Sequence, residues 1–164
     1  MTYELTPDNA AFRPMDDLPL HLDHKPVYAT PYQAFDGMFP YDITDIRYLS
    51  VGMAQYDPGD VSIKAMRHTG DKWSRMAEEL PLHRSVDMVI FLAKVLFDSR
   101  SGKVTLPNGT FNNQTVEIKI EKEDRTSGEI GRYDLFLKTH DSLLKERFNE
   151  LFNVLRGLKD CGKF

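Results

Sequence analysis

Between Arg67 and Asp87 the chain gathers Arg67, Trp73, Arg75, Glu78, Glu79, His83, Arg84 and Asp87, side chains able to do chemistry together. Glu79, His83 and Asp87 are four residues apart, the spacing that brings side chains onto one helix face. A carboxylate beside an imidazole can orient a general base. Pro81 interrupts the helical run for Glu79 and leaves the His83–Asp87 pair intact. Ser74 could join that pair on paper, but no G-x-S-x-G elbow surrounds it. Pro81 suits a first helical position, and the free N–H groups of a helix start favour anions. As a site, the cluster therefore suits a small anionic molecule or the carboxylate of a partner protein. A plainer reading competes with this and is favoured over it. Arg75 and Arg84 pair with Glu78, Glu79 or Asp87 and simply pin a hairpin to the following helix.

Other constellations carry less. His21, Asp23 and His24 are a candidate metal-ligand group, but they sit between Pro19 and Pro26 and no second cluster completes a zinc-type set. No metal site is assigned. Lys64, Arg67, His68, Lys72 and Arg75 form a basic run beside Trp73, which could stack on bases and touch phosphates. The net charge of −4 and pI near 5.7 argue against nucleic acid. There is no G-x-G-x-x-G, P-loop or H-E-x-x-H segment, so no cofactor is predicted. The single cysteine, Cys161, allows no intrachain disulfide, and with no basic and apolar leader pattern the expected compartment is the cytoplasm. No apolar run approaches the ~20 residues of a membrane span.

The elements that must position the cluster follow from periodicity. Residues 1–40 hold Pro7, Pro14, Pro19, Pro26 and Pro31 and read as an extended N-terminal arm, its aromatic residues docking on the body. Residues 41–164 read as one domain. Asp45–Gln55 and Val61–Met66 alternate as two strands of a hairpin around Asp57-Pro58-Gly59, with Leu49, Val51 and Met53 on one face and Ser50 and Gly52 on the other. From Pro81 the pattern is helical, with Val86, Val89, Ile90, Ala93, Leu96 and Phe97 on one face and so much apolar character elsewhere that burial on several sides is expected. Lys103–Leu106, Val116–Ile120 and Arg132–Leu137 read as further strands. Asp141–Leu158 reads as a helix with Leu144, Phe148, Leu151, Phe152, Leu155 and Leu158 in a stripe packed on the outside of the core. The predicted fold is α+β: a mostly antiparallel sheet, one buried central helix, and a C-terminal amphipathic helix on one face.

The segment GDVSIKAMRHTGDKWSRMAEELPLHRSVDMVIFLAK resembles, in its hairpin followed by W-S-R-x-x-E-E-L-P-L-H-R, a family of small uncharacterised bacterial proteins known only as a domain of unknown function. The resemblance runs from about Leu49 to Lys94. It implies a bacterial cytosolic protein and no particular activity. From the residues themselves, the leading expectation is a non-enzymatic binding or accessory module. The central helix carries more apolar surface than one sheet and one helix cover, which predicts a homodimer or higher oligomer. The rival is a small enzyme or anion binder built on the Arg67–Asp87 cluster.

Overall fold

In the computed structural model, residues 3–4, 12–36, 39–74 and 82–164 are described. They form an α+β fold with two antiparallel sheets. Strands β2 (Lys25–Pro31), β3 (Ile46–Met53) and β4 (Val61–Arg67) pair in that order. In the second sheet β6 (Ile118–Glu121) lies between β1 (Tyr3–Glu4) and β5 (Lys103–Leu106). Helix α1 spans Leu82–Asp98 and helix α2 spans Ser127–Asp160. The main core gathers Tyr32, Phe35, Leu49 and Val51 from the first sheet region, Phe91 and Val95 from α1, and Leu106, Ile118 and Ile120 from the second sheet.

The β3–β4 hairpin forms as its alternation predicts, with Val51 opposite Ile63 and Met53 opposite Val61. Asp57 shapes the turn by accepting the Gly59 N–H at 2.7 Å, the local side-chain bond that makes aspartate a turn residue. All eight residues of β3 are buried, so both faces of the strand are covered. The second face is closed by the Pro-rich stretch. Leu18 and Leu22 pack there with Ala29, Tyr48 and Met66, and Trp73 leans on the cluster. Asp16 anchors the stretch, its carboxylate accepting from Arg47 Nε at 2.7 Å and its carbonyl from the Tyr48 hydroxyl at 3.0 Å. Residues 25–31 then form the edge strand of the sheet, a position that tolerates Pro26 and Pro31. Gly52 is required where β3 meets it: a Cβ there would lie 2.0 Å from the Lys25 carbonyl oxygen.

Three expectations are corrected. Arg132–Leu137 is no return strand but part of α2, and β6 pairs instead with β1 and β5. A capping box starts the helix: Thr126 Oγ1 accepts the Glu129 N–H at 3.2 Å and Glu129 Oε2 accepts the Thr126 N–H at 3.1 Å. Ile130, Tyr133 and Leu137 pack on the core at helical spacing, while Leu135 is 64% exposed. β6 begins at Ile118 rather than Val116, which is half-buried outside the strand, and within it the predicted alternation holds, with Ile118 and Ile120 buried and Lys119 exposed. The second correction concerns α1, which is buried along Arg84, Met88, Phe91 and Val95 only. The row expected to face the core is largely outside: Val86 is 59% and Phe97 47% exposed. Third, the stripe of α2 does not pack on the core along its length; every residue from 149 to 164 is exposed.

His24 supplies a measurable consequence of the covered second face. Its ring is buried, with Nε2 2.9 Å from Ser50 Oγ and Nδ1 3.4 Å from Ser62 Oγ. Burial, with Lys64 and Arg125 nearby, pushes its pKa down to about 3. The unfolded chain takes up a proton near pH 6.5, and the folded chain refuses it until about 3. Stability from a neutral His24 is thus complete above pH 6.5 and drains away as pH falls through that window. Between pH 7.5 and 5 the loss attributable to this residue is about 2 kcal/mol. Urea unfolding of the wild type and of His24→Asn at both values should show a clearly smaller pH dependence for the variant. Equal pH dependence would refute the assignment.

Candidate functional site

The centre of the polar cluster is a residue outside the Arg67–Asp87 stretch. Asp36 follows a short 3-10 turn over Gln33–Phe35, and its side chain is wholly buried. Arg84, in the first turn of α1, reaches it with both ends of its guanidinium: Nη2 lies 2.7 Å from Oδ2 and Nε 3.3 Å from Oδ1. His83 Nε2 stands 3.0 Å from Oδ1, and the Thr44 hydroxyl donates to Oδ2. Four bonds fill the acceptor capacity of a carboxylate. This is the bidentate arginine geometry that makes a buried pair strong and directional. Asp45 extends the network, with Oδ1 3.6 Å from Arg84 Nη2 and Oδ2 accepting from Arg67 Nε at 2.6 Å. The Phe39 ring lies under the Arg84 guanidinium, its centroid 5.9 Å from the guanidinium carbon, and 5.8 Å from the His83 ring.

One turn further along α1, Asp87 accepts a hydrogen bond from the Tyr32 hydroxyl. Desolvation pushes the Asp87 carboxyl above the usual carboxylate range. Burial, reinforced by the bond to Asp87 and by its charge, raises the Tyr32 hydroxyl far above its ordinary value, so it stays protonated and serves as a donor. The helical spacing of His83 and Asp87 thus places them beside two different partners. Each faces a different residue from the segment around Tyr32 and Asp36.

The remaining predicted residues are distributed elsewhere. Trp73 belongs to the second face, its ring centroid 6.4 Å from Tyr48 and 5.1 Å from His68. Arg67 joins the cluster through Asp45. Arg75, Glu78 and Glu79 lie outside the described residues, as does Pro81. His21 and Asp23 are exposed while His24 turns inward to Ser50 and Ser62, so the three do not converge. Among the described residues no group of three or more His, Cys, Asp or Glu could hold a metal ion. Tyr32, Asp36 and Asp45 were missed because their partners on α1 are about 40–55 residues away in the chain, and Thr44 because it joins the cluster through Asp36; no local spacing marks them.

Two concavities lie apart from this network. One, of about 260 Å³, is lined by Asp17, Leu18, Leu20 and Glu123. The other, of about 310 Å³, lies between the end of α1 and the middle of α2 and is lined by Phe97, Lys145, Phe148 and Asn149.

A family model described as a family of unknown function, DUF6530, aligns with residues 15–160. No curated protein and no solved structure matches the chain.

The geometry makes the cluster a structural clamp, and mutation should show it. Arg84→Ala leaves the buried Asp36 carboxylate without its cation and should cost about 3–5 kcal/mol in urea unfolding. His83 is partly exposed and contributes one contact to the same carboxylate, so His83→Ala should cost only about 0.5–1.5 kcal/mol. An Arg84→Ala protein as stable as wild type would remove the clamp reading.

Proposed function

The chain belongs to DUF6530, a family of unknown function, and from that premise we propose that it is a non-enzymatic binding or accessory module acting as a homodimer in the bacterial cytoplasm. The observation that carries the proposal is the row of apolar side chains that α1 turns to solvent. Leu82 is 87% exposed, Val86 59%, Val89 40% and Phe97 47%. Their spacing is helical, so they line one face, and α2 adds Phe152, Leu155 and Leu158 in a second exposed stripe. Monomeric soluble proteins rarely leave such contiguous apolar surface uncovered, and association removes it from water.

The polar cluster supports the same reading from the other side. A catalytic or ligand-binding carboxylate needs a free lone pair and a path to solvent. Asp36 has its lone pairs filled by Arg84, His83 and Thr44 and is fully enclosed. The charges are therefore used to hold α1 against the sheet. The cytoplasmic assignment rests on the lone, exposed Cys161. No helix among the described residues is long and apolar enough to cross a membrane. The bacterial source rests on the W-S-R-x-x-E-E-L-P-L-H-R resemblance.

Sedimentation velocity between about 1 and 100 μM, where dimers of modest affinity dissociate, should give a mass near twice the 18.9 kDa chain at the upper end. A thermal-shift screen with metals, nucleotides and organic anions should leave the melting temperature unmoved, since only a ligand of the native state raises it. A strict monomer throughout would overturn the homodimer. A saturable shift with an organic anion, lost in His83→Ala, would return the cluster to the status of a ligand site.

A further inference from the structure

We infer that the distal half of α2, from Asp141 to Asp160, is the element through which two copies of this chain pair. The inference rests on the homodimer proposed above and names its surface. Leu144, Phe148, Leu151, Leu155 and Leu158 follow one another at alternating intervals of four and three residues. That is the 3.5-residue period of a two-helix seam, and because it drifts by only about 20° per heptad the row stays on one side of α2 over its length. Among the described residues the helix has a neighbour along this row only at the base. There Phe148 meets Phe97 edge to face, ring centroids 5.0 Å apart, beside the groove lined by Lys145 and Asn149. Beyond that point Leu151, Leu155 and Leu158 are 37%, 45% and 43% exposed, and Phe152 and Val154 beside the seam are 59% and 50% exposed.

Three considerations make a second copy the occupant. A row of leucines at this spacing is complementary to the same row, since each seam residue inserts between side chains of the same size on the facing helix. The segment is also nearly neutral. From Asp141 to Phe164 it carries five basic and four acidic residues, interspersed, so two copies meet little net repulsion and no strongly charged partner is called for. Finally, the seam continues at its base into Phe97, the end of the exposed row on α1. A second helix laid along α2 would therefore reach the groove and cover Phe97 as well. The 3–4 seam is only two heptads long, which points to a dimer that dissociates on dilution.

The test uses the full chain and four proteins, followed by sedimentation equilibrium and circular dichroism: wild type, Leu151→Lys/Leu155→Lys, Leu155→Asn, and Val86→Lys/Val89→Lys on α1. Every substituted position is at least 37% exposed, so the fold of the body is kept. The α2 variant should associate at least roughly 30-fold more weakly than wild type, the loss expected when a hot spot at the centre of an interface is removed. The α1 variant, whose row joins the seam through Phe97 and lies at its margin, should lose several-fold less affinity than the α2 variant. Leu155→Asn, which keeps the helix uncharged at the seam, should fall between the two. A wild-type dimer that the α2 variant leaves intact, or that the α1 variant alone dissolves, overturns the seam while leaving the homodimer standing. A wild type that is monomeric at every concentration overturns both.

Discussion

The buried pairing of Asp36 with Arg84 decides more of this molecule than any other contact. Carrying both charges out of water is costly, and the cost is met only because the pair is bidentate and the remaining lone pairs are filled by His83 and Thr44. The bond fixes the rotation of α1 about its own axis. With Arg84 held inward, Met88, Phe91 and Val95 follow it at helical intervals into the core. Leu82, Val86, Val89 and Phe97 are thereby committed to the outside. The clamp and the exposed apolar row are thus one decision seen from two sides.

This also explains which parts of the fold the chain announces and which it conceals. The β3–β4 hairpin and the alternation around Ile118 and Ile120 are local patterns, and they form as read. The rotation of α1 is hidden because an arginine sits in the buried row. Periodicity alone sends Arg84 to solvent, and only Asp36, 48 residues earlier, reverses that. The first part of α2 is hidden by an accident of spacing. Tyr133, Leu135 and Leu137 alternate like a strand, whereas the T-x-x-E signature at Thr126–Glu129 marks a helix start. The site residues show the same divide. His83 and Arg84 are found by type and neighbourhood, but Tyr32, Asp36, Thr44 and Asp45 are reachable only through the fold.

The Pro-rich stretch has a structural logic of its own. Prolines exclude it from the middle of a sheet, so it takes the edge position of β2, and its preceding turns close the open face of β3. That arrangement buries His24 against two serines and seals Trp73 and Tyr48 into a second small core. Titratable and aromatic groups that look like site material in sequence are here consumed by the packing of a short chain on both faces of one sheet.

The capping box at Thr126 sets the starting point of a rigid rod. At 1.5 Å per residue the 34 residues of α2 run about 50 Å, and each added residue turns all that follows by about 100°. Direction and distance along this rod are therefore coupled. A single insertion or deletion between Tyr133 and Leu144 would swing the leucine stripe to another side of the body, while one of seven residues would return it nearly to its original bearing. Length variation in this stretch of the chain should thus be quantised, with changes of seven far better tolerated than changes of one or two.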